Sequence, residues 1–483
     1  MKSNLKWNLV YQMFYRILAI LTPLLTAPYL SRVLGAENLG IFSYTSSIVN
    51  YFAMLAYLGI DNYGCRTIAQ VRAENNGNGK AKTFWEIYTI QFLTGAVSLT
   101  GYVMYLLIFA QENKLIFLIQ CITLFSAMLD INWYFFGTEQ FKLTVTRNTV
   151  IKIITVIMIF VFVNTENDLF QYVFIMTSGT LVSQLVMWGF LLKEIGFVKT
   201  DLKHAMKHMK PNIALFLPVI AVSVYHTMDK TMLGILADYR ETGFYYNADK
   251  VISMPLGLIT GLGTVMMPRI SNVISQKGTD AGRELLGKSF ELNMCLSCSM
   301  SFGIAAISQE FVPFFFGKEF ESCTILVILF APVLVIKSLS GLIQSQYLIP
   351  SKNESIYTIG TIFGAITNLI LNLTLIRQFG AIGATVGTLG AELAVLVIEA
   401  FLTRKNLRFC SMFMDNIIYF VAAATMFVGV RLFASVLHFS VVINILLEIM
   451  AGGLLFLAVV FPYWKLSKHS IFSSILKGEH NGN

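Results

Sequence analysis

Leu115-Ile116-Phe117-Leu118-Ile119-Gln120-Cys121-Ile122-Thr123-Leu124 is the run whose reading decides the fold class. A transmembrane β-strand of this length alternates lipid-facing apolar side chains with polar ones. Here only Gln120 and Thr123 interrupt the apolar side chains, so the run reads as part of a buried or lipid-facing helix, within a span over 115–136. Working outward, hydropathy places further spans at 10–30, 39–60 and 84–110 before it, and at 149–163, 169–192, 213–235, 250–268, 289–309, 322–349, 356–376, 381–402, 413–434 and 440–462 after it. About twenty residues at 1.5 Å per residue cross the roughly 30 Å hydrocarbon core of a bilayer. The expected class is therefore an all-α polytopic membrane protein with about 14 transmembrane helices.

Composition agrees: 56% of residues are hydrophobic and 13% charged, with a mean hydropathy of +0.68, against roughly 25% charge in soluble domains. No segment between spans is long enough to fold as a soluble domain, so residues 1–483 form a single integral membrane domain. The first span follows MKSNLKWN directly and ends in Pro28-Tyr29-Leu30, so it is expected to be retained as a helix instead of being cleaved as a signal peptide.

A net charge of +8 raises the question of a nucleic-acid partner, but the positions of Lys and Arg answer it differently. Of the 35, 24 fall in segments on the N-terminal side of the membrane, among them Arg66, Arg72, Lys80, Lys142, Arg147, Arg269, Arg283, Lys352, Arg404 and Arg408. Seven fall on the other side: Arg32, Lys114, Arg240, Lys250, Lys318, Arg377 and Arg431. Such asymmetry is the positive-inside rule; it places both termini in the cytoplasm and leaves no reason to invoke nucleic acid.

Two motifs carry less than their letters suggest. Cys295 and Cys298 form a CxxC inside a span with no second ligand pair nearby, so packing is expected and no metal or other cofactor is implied. Gly282-Arg283-Glu284-Leu285-Leu286-Gly287-Lys288-Ser289 matches the phosphate-binding pattern GxxxxGK[ST]. That loop requires a preceding strand and a nucleotide domain; neither is present, so ATP is not expected as a partner.

The four remaining basic residues, Arg16, Lys152, Lys230 and Lys337, lie within spans. Facing lipid at mid-bilayer each would cost about 2.5 to 3.5 kcal/mol, so an aqueous interior or a partner is expected, with Lys152 also placed to snorkel. Asn8, Gln12 and Arg16 recur every four residues and share one face of the first helix. In the seventh span His226 stands one turn from both Asp229 and Lys230; that constellation suits either proton or ion coupling or a structural salt-bridge hub. Asp130 is a second intramembrane carboxylate, and Glu392, Glu399 and Glu448 are weaker candidates.

The eighth span combines Pro255, Gly257, Gly261 and Pro268, a pattern of close packing and interrupted hydrogen bonding that suits a hinge. Gly360 with Gly364, and Gly383 with Gly387, repeat the small-xxx-small spacing of packed helices. Gly40-Ile41-Phe42-Ser43-Tyr44 is echoed 203 residues later by Gly243-Phe244-Tyr245-Tyr246-Asn247. An offset close to six spans points to two repeated halves, 1–195 and 196–405, followed by an extra pair of helices and a tail at 406–483, and repeated halves favour a transporter over a scaffold.

The run Pro28-Tyr29-Leu30-Ser31-Arg32-Val33-Leu34-Gly35-Ala36-Glu37-Asn38-Leu39-Gly40 resembles the first conserved stretch of polysaccharide flippases, the Wzx type that moves O-antigen or capsule repeat units. This type belongs to the multidrug/oligosaccharidyl-lipid/polysaccharide (MOP, MATE-like) exporter superfamily. Tyr57 to Gly64, Asp130 to Gly137, Met228-Asp229-Lys230, Met267-Pro268-Arg269 and Phe379 to Ala384 continue the resemblance along the chain. It implies two six-helix bundles related by a pseudo-two-fold axis, plus two C-terminal helices, in a bacterial cytoplasmic membrane. It further implies transfer of undecaprenyl-diphosphate-linked oligosaccharide between leaflets by alternating access, with no catalysis and with a polysaccharide polymerase complex as a possible partner. By position, Arg16, Lys230 and Arg269, with Lys152 and Lys337, would form a cationic cavity for the diphosphate. Tyr11, Tyr15 and Trp133 are candidates for its aromatic walls or for packing. A drug exporter of the MATE type and a membrane glycan polymerase or ligase are the alternatives.

Overall fold

A computed structural model describes residues 5–73, 77–277 and 279–466. Every regular element among them is a helix, and the barrel alternative is excluded. The chain forms two compact units, Met1–Gly243 and Phe244–Asn483.

In the first unit, α1 (Leu5–Tyr57), α2 (Ile60–Ala73), α3 (Gly77–Phe109) and α4 (Lys114–Met128) precede the short α5 (Asn132–Gly137). They are followed by α6 (Phe141–Phe162), α7 (Leu169–Glu194), the single turn α8 (Leu202–Ala205) and α9 (Met209–Leu236). Helix α10 (Tyr239–Lys277) starts in this unit and continues into the next. The second unit adds α11 (Thr279–Phe316), α12 (Cys323–Leu342), α13 (Glu354–Thr403), α14 (Phe409–Asp415), α15 (Ile417–Ala434) and α16 (Val441–Leu466).

Two of these helices are each two spans joined at a glycine. Gly35 breaks α1 with φ 75° and ψ 177°, and Gly380 breaks α13 with φ 53° and ψ −128°. Both are regions that a Cβ all but forbids, so a near-continuous hydrogen-bonded chain can reverse there without a loop. Eleven described helices are long and apolar enough to cross a membrane; two of them are the doubled ones, and α9 supplies a further span-length helix of 28 residues. That accounts for the fourteen spans expected. Side chains such as Val97, Leu107, Leu432 and Leu454 stand 68–77% exposed, which is the surface a helix presents to lipid and not to water.

Several boundaries differ from the hydropathy reading. The span at 115–136 is broken at 129–131 between α4 and α5. The span placed at 149–163 belongs to a helix that starts at Phe141. Beyond α12 the chain widens into a π-helix over Ile343–Leu348. By contacts the chain divides after Gly243, and α9 packs along α1 and α2. The C-terminal helices α15 and α16 are not an appendage: they pack on α11 through Met294, Cys298, Tyr419, Met426 and Phe456 in one core of the second unit.

The eight residues that spell a phosphate-binding loop lie inside α11, where Lys288 Nζ sits 2.8 Å from Glu284 one turn back. An α-helix uses those backbone N–H groups internally, so no phosphate cradle exists there. Cys295 and Cys298 are buried in the same helix.

Candidate functional site

In the first unit, α1 beyond its break runs against α9 and the start of α10 along a seam of small and hydroxylated residues. A Cβ on Gly40 would lie 1.6 Å from the Tyr239 carbonyl oxygen, and one on Gly243 would lie 1.9 Å from that of Ala36. The two glycines of the sequence echo therefore pack at one crossing, where backbones touch because neither carries a side chain. One step further, Gly234 faces the ring of Tyr44, and Ser47 Oγ and Thr231 Oγ1 are 2.8 Å apart; the Thr231 hydroxyl also donates to Tyr51 Oη at 3.3 Å.

Asp229 and Lys230 follow on the same stretch of α9. Asp229 is 3% exposed and Lys230 only partly buried, so the adjacent anion and cation occupy different environments, as their 100° separation around the helix requires. The side chains of Asn8, Tyr11, Gln12, Tyr15, Arg16 and His226 lie outside the described residues.

Asp130 sits in the break between α4 and α5. Its Oδ1 accepts the Asn132 N–H at 2.8 Å and its Oδ2 the Tyr57 hydroxyl at 3.4 Å. Gln91 on α3 donates to the Ala127 and Asp130 carbonyls at 2.9 and 2.6 Å, and accepts the indole N–H of Trp133 at 3.0 Å. These groups satisfy backbone that the break leaves open inside the membrane, where water cannot. Trp133 is 1% exposed and stacked 5.2 Å from Phe84; it packs in the core of the unit instead of forming a cavity wall.

Arg147, counted from the sequence among the residues outside the bilayer, is instead a buried cation on α6, 6% exposed. It donates to the Ser183 carbonyl at 3.0 Å, to Asn132 Oδ1 at 2.8 Å and to Asn148 Oδ1 at 2.7 Å. The signal for it was the shortness of the 149–163 span, which at 1.5 Å per residue cannot cross 30 Å without the preceding turns. Lys152, one helical turn and a half further, is half-buried on α6. Sequence reasoning also missed a Tyr63–His208–Glu86 chain joining α2, the turn before α9, and α3: Tyr63 Oη and His208 Nδ1 are 2.6 Å apart, and His208 Nε2 and Glu86 are 3.1 Å apart.

In the second unit, Lys337 on α12 places its Nζ 2.8 Å from Glu392 on α13, a carboxylate with a side chain only 3% exposed. Glu399, also buried, accepts the Gln344 amide at 2.8 Å. Arg269 is exposed on α10 beside Pro268, and α10 passes Pro255, Gly257, Gly261 and Pro268 as one helix. The small-residue pairs do pack closely: Gly360 meets Glu399, Gly364 meets Val395, and Gly383 meets the backbone of Leu375. Glu448 is buried on α16.

Residues 3–274 match the model of a family described as polysaccharide biosynthesis protein. The chain belongs to that family. It is 24% identical over 418 residues to the "Putative O-antigen transporter" of Escherichia coli (strain K12), covering 84% of this chain and 98% of that one. It is 24% identical over 229 residues to the "Probable low-salt glycan biosynthesis flippase Agl15" of Haloferax volcanii, about half of each chain. Among solved structures, a lipid II flippase MurJ in an inward closed conformation superposes with a TM-score of 0.77 at 15% identity, over 98% of this chain and 99% of that one. An inward-facing MATE transporter of the MOP superfamily reaches 0.64 at 12% identity, over 81% and 94%. The family match makes the chain a polysaccharide biosynthesis protein, and the solved structures show that it shares its multi-helix fold with MurJ and MATE proteins.

Proposed function

We propose that the protein transfers an undecaprenyl-diphosphate-linked oligosaccharide repeat unit from the inner to the outer leaflet of a bacterial cytoplasmic membrane by alternating access. Lys230 and Arg269, with Arg16, hold the diphosphate and any acidic sugars. The observation that carries this reading is Lys230: beside a seam packed by glycine, serine, threonine and tyrosine, an ammonium stays partly exposed next to a buried Asp229. A partly exposed cation on a membrane-spanning helix is what an anionic headgroup needs to leave water. Lys337 has a carboxylate partner in Glu392, so its charge is neutralised in place and we assign it to holding α12 against α13. Asp229, with His226, is the proposed site of ion coupling, because a family of this fold without an ATPase element needs another source of work.

The test is leaflet sidedness of a labelled lipid-linked glycan in proteoliposomes. Lys230→Gln and Arg269→Gln should each lower the flipping rate at least tenfold with normal insertion, and Asp229→Asn should abolish its dependence on an ion gradient. Wild-type rates in both cation variants would overturn the binding assignment. A MATE-type drug exporter would instead move a lipophilic cation and ignore the glycan.

A further inference from the structure

A second polar site lies in the second unit. Four segments converge there on a cavity of about 270 Å³: α10 at Ile270, the start of α11, the π-helix after α12 with the turn that follows it, and the segment after α13. Arg283, Gln346, Tyr347, Ser351, Asn353 and Asn406 line it. All four segments lie on the side of the membrane that carries the excess of Lys and Arg in the sequence.

The lining is graded. Arg283 and Asn406 are exposed, Tyr347, Ser351 and Asn353 are half-buried, and Gln346 is 1% exposed. Gln346 Oε1 is buried with no hydrogen-bond partner among the described residues, an arrangement that costs free energy unless a donor arrives. The π-helix puts it there: Ile349 N–H bonds back to the Gln344 carbonyl, one residue wider than an α-turn, and such bulges concentrate at functional sites. Asn353 stands at the N-cap of α13 yet makes no capping hydrogen bond, which leaves its amide to the cavity.

The two ends ask for different chemistry. Gln346 Oε1 accepts, so it needs an O–H or N–H on the ligand. Arg283 carries five N–H donors in a planar fork that suits a phosphate or carboxylate edge. Inorganic phosphate satisfies the arginine but offers the buried acceptor little, and a neutral polyol does the reverse. The cavity lies just below the ~300 Å³ at which drug-sized sites begin, which limits the occupant to about one sugar or glycerol unit.

We propose that this cavity binds a phosphorylated polyol, with the phosphate on Arg283, hydroxyls on Ser351, Asn353 and Asn406, and a hydroxyl donating to Gln346 Oε1. The same chemistry is available from a phospholipid headgroup bearing glycerol or from a free glycerol or hexose phosphate.

Two arms separate these sources. Purified full-length protein is analysed by native mass spectrometry for retained phosphatidylglycerol against phosphatidylcholine, and in phosphatidylcholine nanodiscs for binding of labelled glycerol 3-phosphate. Saturable binding in either arm, weakened at least tenfold by Arg283→Gln and by Gln346→Leu, supports the site; the lipid arm alone identifies a headgroup and the soluble arm a free metabolite. Because Gln346→Leu alters a buried position, Asn353→Leu at the half-buried turn serves as a second variant, with unchanged thermal stability as the folding control. No binding in either arm, or inorganic phosphate or glycerol alone competing as well as glycerol 3-phosphate, overturns the proposal. Normal glycan flipping in Arg283→Gln would leave the transport reading untouched, so the two fail independently.

Discussion

Lys337 and Glu392 are 2.8 Å apart with side chains 26% and 3% exposed, and that imbalance fixes what each substitution does. Lys337→Met leaves a buried carboxylate without its cation, a loss of about 3 to 5 kcal/mol for a fully buried pair; residual access to Lys337 puts this one at the lower end. Replacing both, as Lys337→Met with Glu392→Leu, removes the desolvation of both ions and should return most of that stability. Thermal denaturation in detergent reads the two variants, and flipping by the double variant then separates the roles. A stable double variant that transports normally supports a purely structural pair, whereas a stable one that has lost transport would return Lys337 to the cargo site. Arg147 obeys the same logic more strictly, since its guanidinium donates to Ser183, Gln184, Asn132 and Asn148 from a nearly dry position. Arg147→Met should destabilise by about 3 kcal/mol or more, because Asn132, Asn148 and the Ser183 carbonyl then lose their charged donor.

At the scale of the helix, glycine positions distinguish packing from bending. Gly40 and Gly243 leave no room for a methyl group, with backbone oxygens under 2 Å from where a Cβ would stand; alanine at either should force the α1–α10 crossing apart and cost 1–3 kcal/mol or more. Gly257, also on α10, has nothing within 4 Å, so Gly257→Ala should stabilise that helix by about 1 kcal/mol. A drop in flipping rate in this more stable variant would show that α10 bends during transport; an unchanged rate would remove Gly257 from the hinge. The echo at Gly40 and Gly243 could be read from the chain, because repetition is written in sequence. That the two glycines touch could not, since contact between residues 203 apart leaves no periodic trace. The apolar spans were legible for the same reason the breaks within them were not: a window of about twenty residues averages over Asp130, and the bonds from Gln91 that make that break tolerable come from another helix. Lys337 was recognisable as a costly intramembrane charge, but its partner lies 55 residues on and nothing local announces it.

For the whole molecule, the consequence of the charge asymmetry is an orientation, and one native thiol reports it. Cys410 is exposed on α14, between spans and beside Arg404, Lys405 and Arg408, whereas Cys295, Cys298 and Cys323 are buried and Cys65 and Cys121, half-buried, are replaced by serine for the measurement. Attraction to anionic lipid and the energetics of moving Lys and Arg across the bilayer keep such a cluster on the cytoplasmic face. A membrane-impermeant maleimide should therefore label Cys410 in inside-out vesicles and not in intact cells, with the signal abolished by Cys410→Ser. In that background Lys318→Cys, an exposed position in the short turn between α11 and α12, should show the opposite sidedness, since one span lies between each neighbouring pair of charge-marked segments. Labelling of Cys410 from outside would reverse the whole bundle, turning the Arg283 cavity toward the outer face and the seam at Gly40 and Gly243 toward the cytoplasm. Labelling of both positions from the same side would instead mean that a helix in the second unit fails to cross, because Lys318 and Cys410 are separated by α12, the two halves of α13 and the segment after it. An odd number of crossings between them is what the fourteen-span fold requires, so this pair of thiols tests the architecture and the orientation in one experiment.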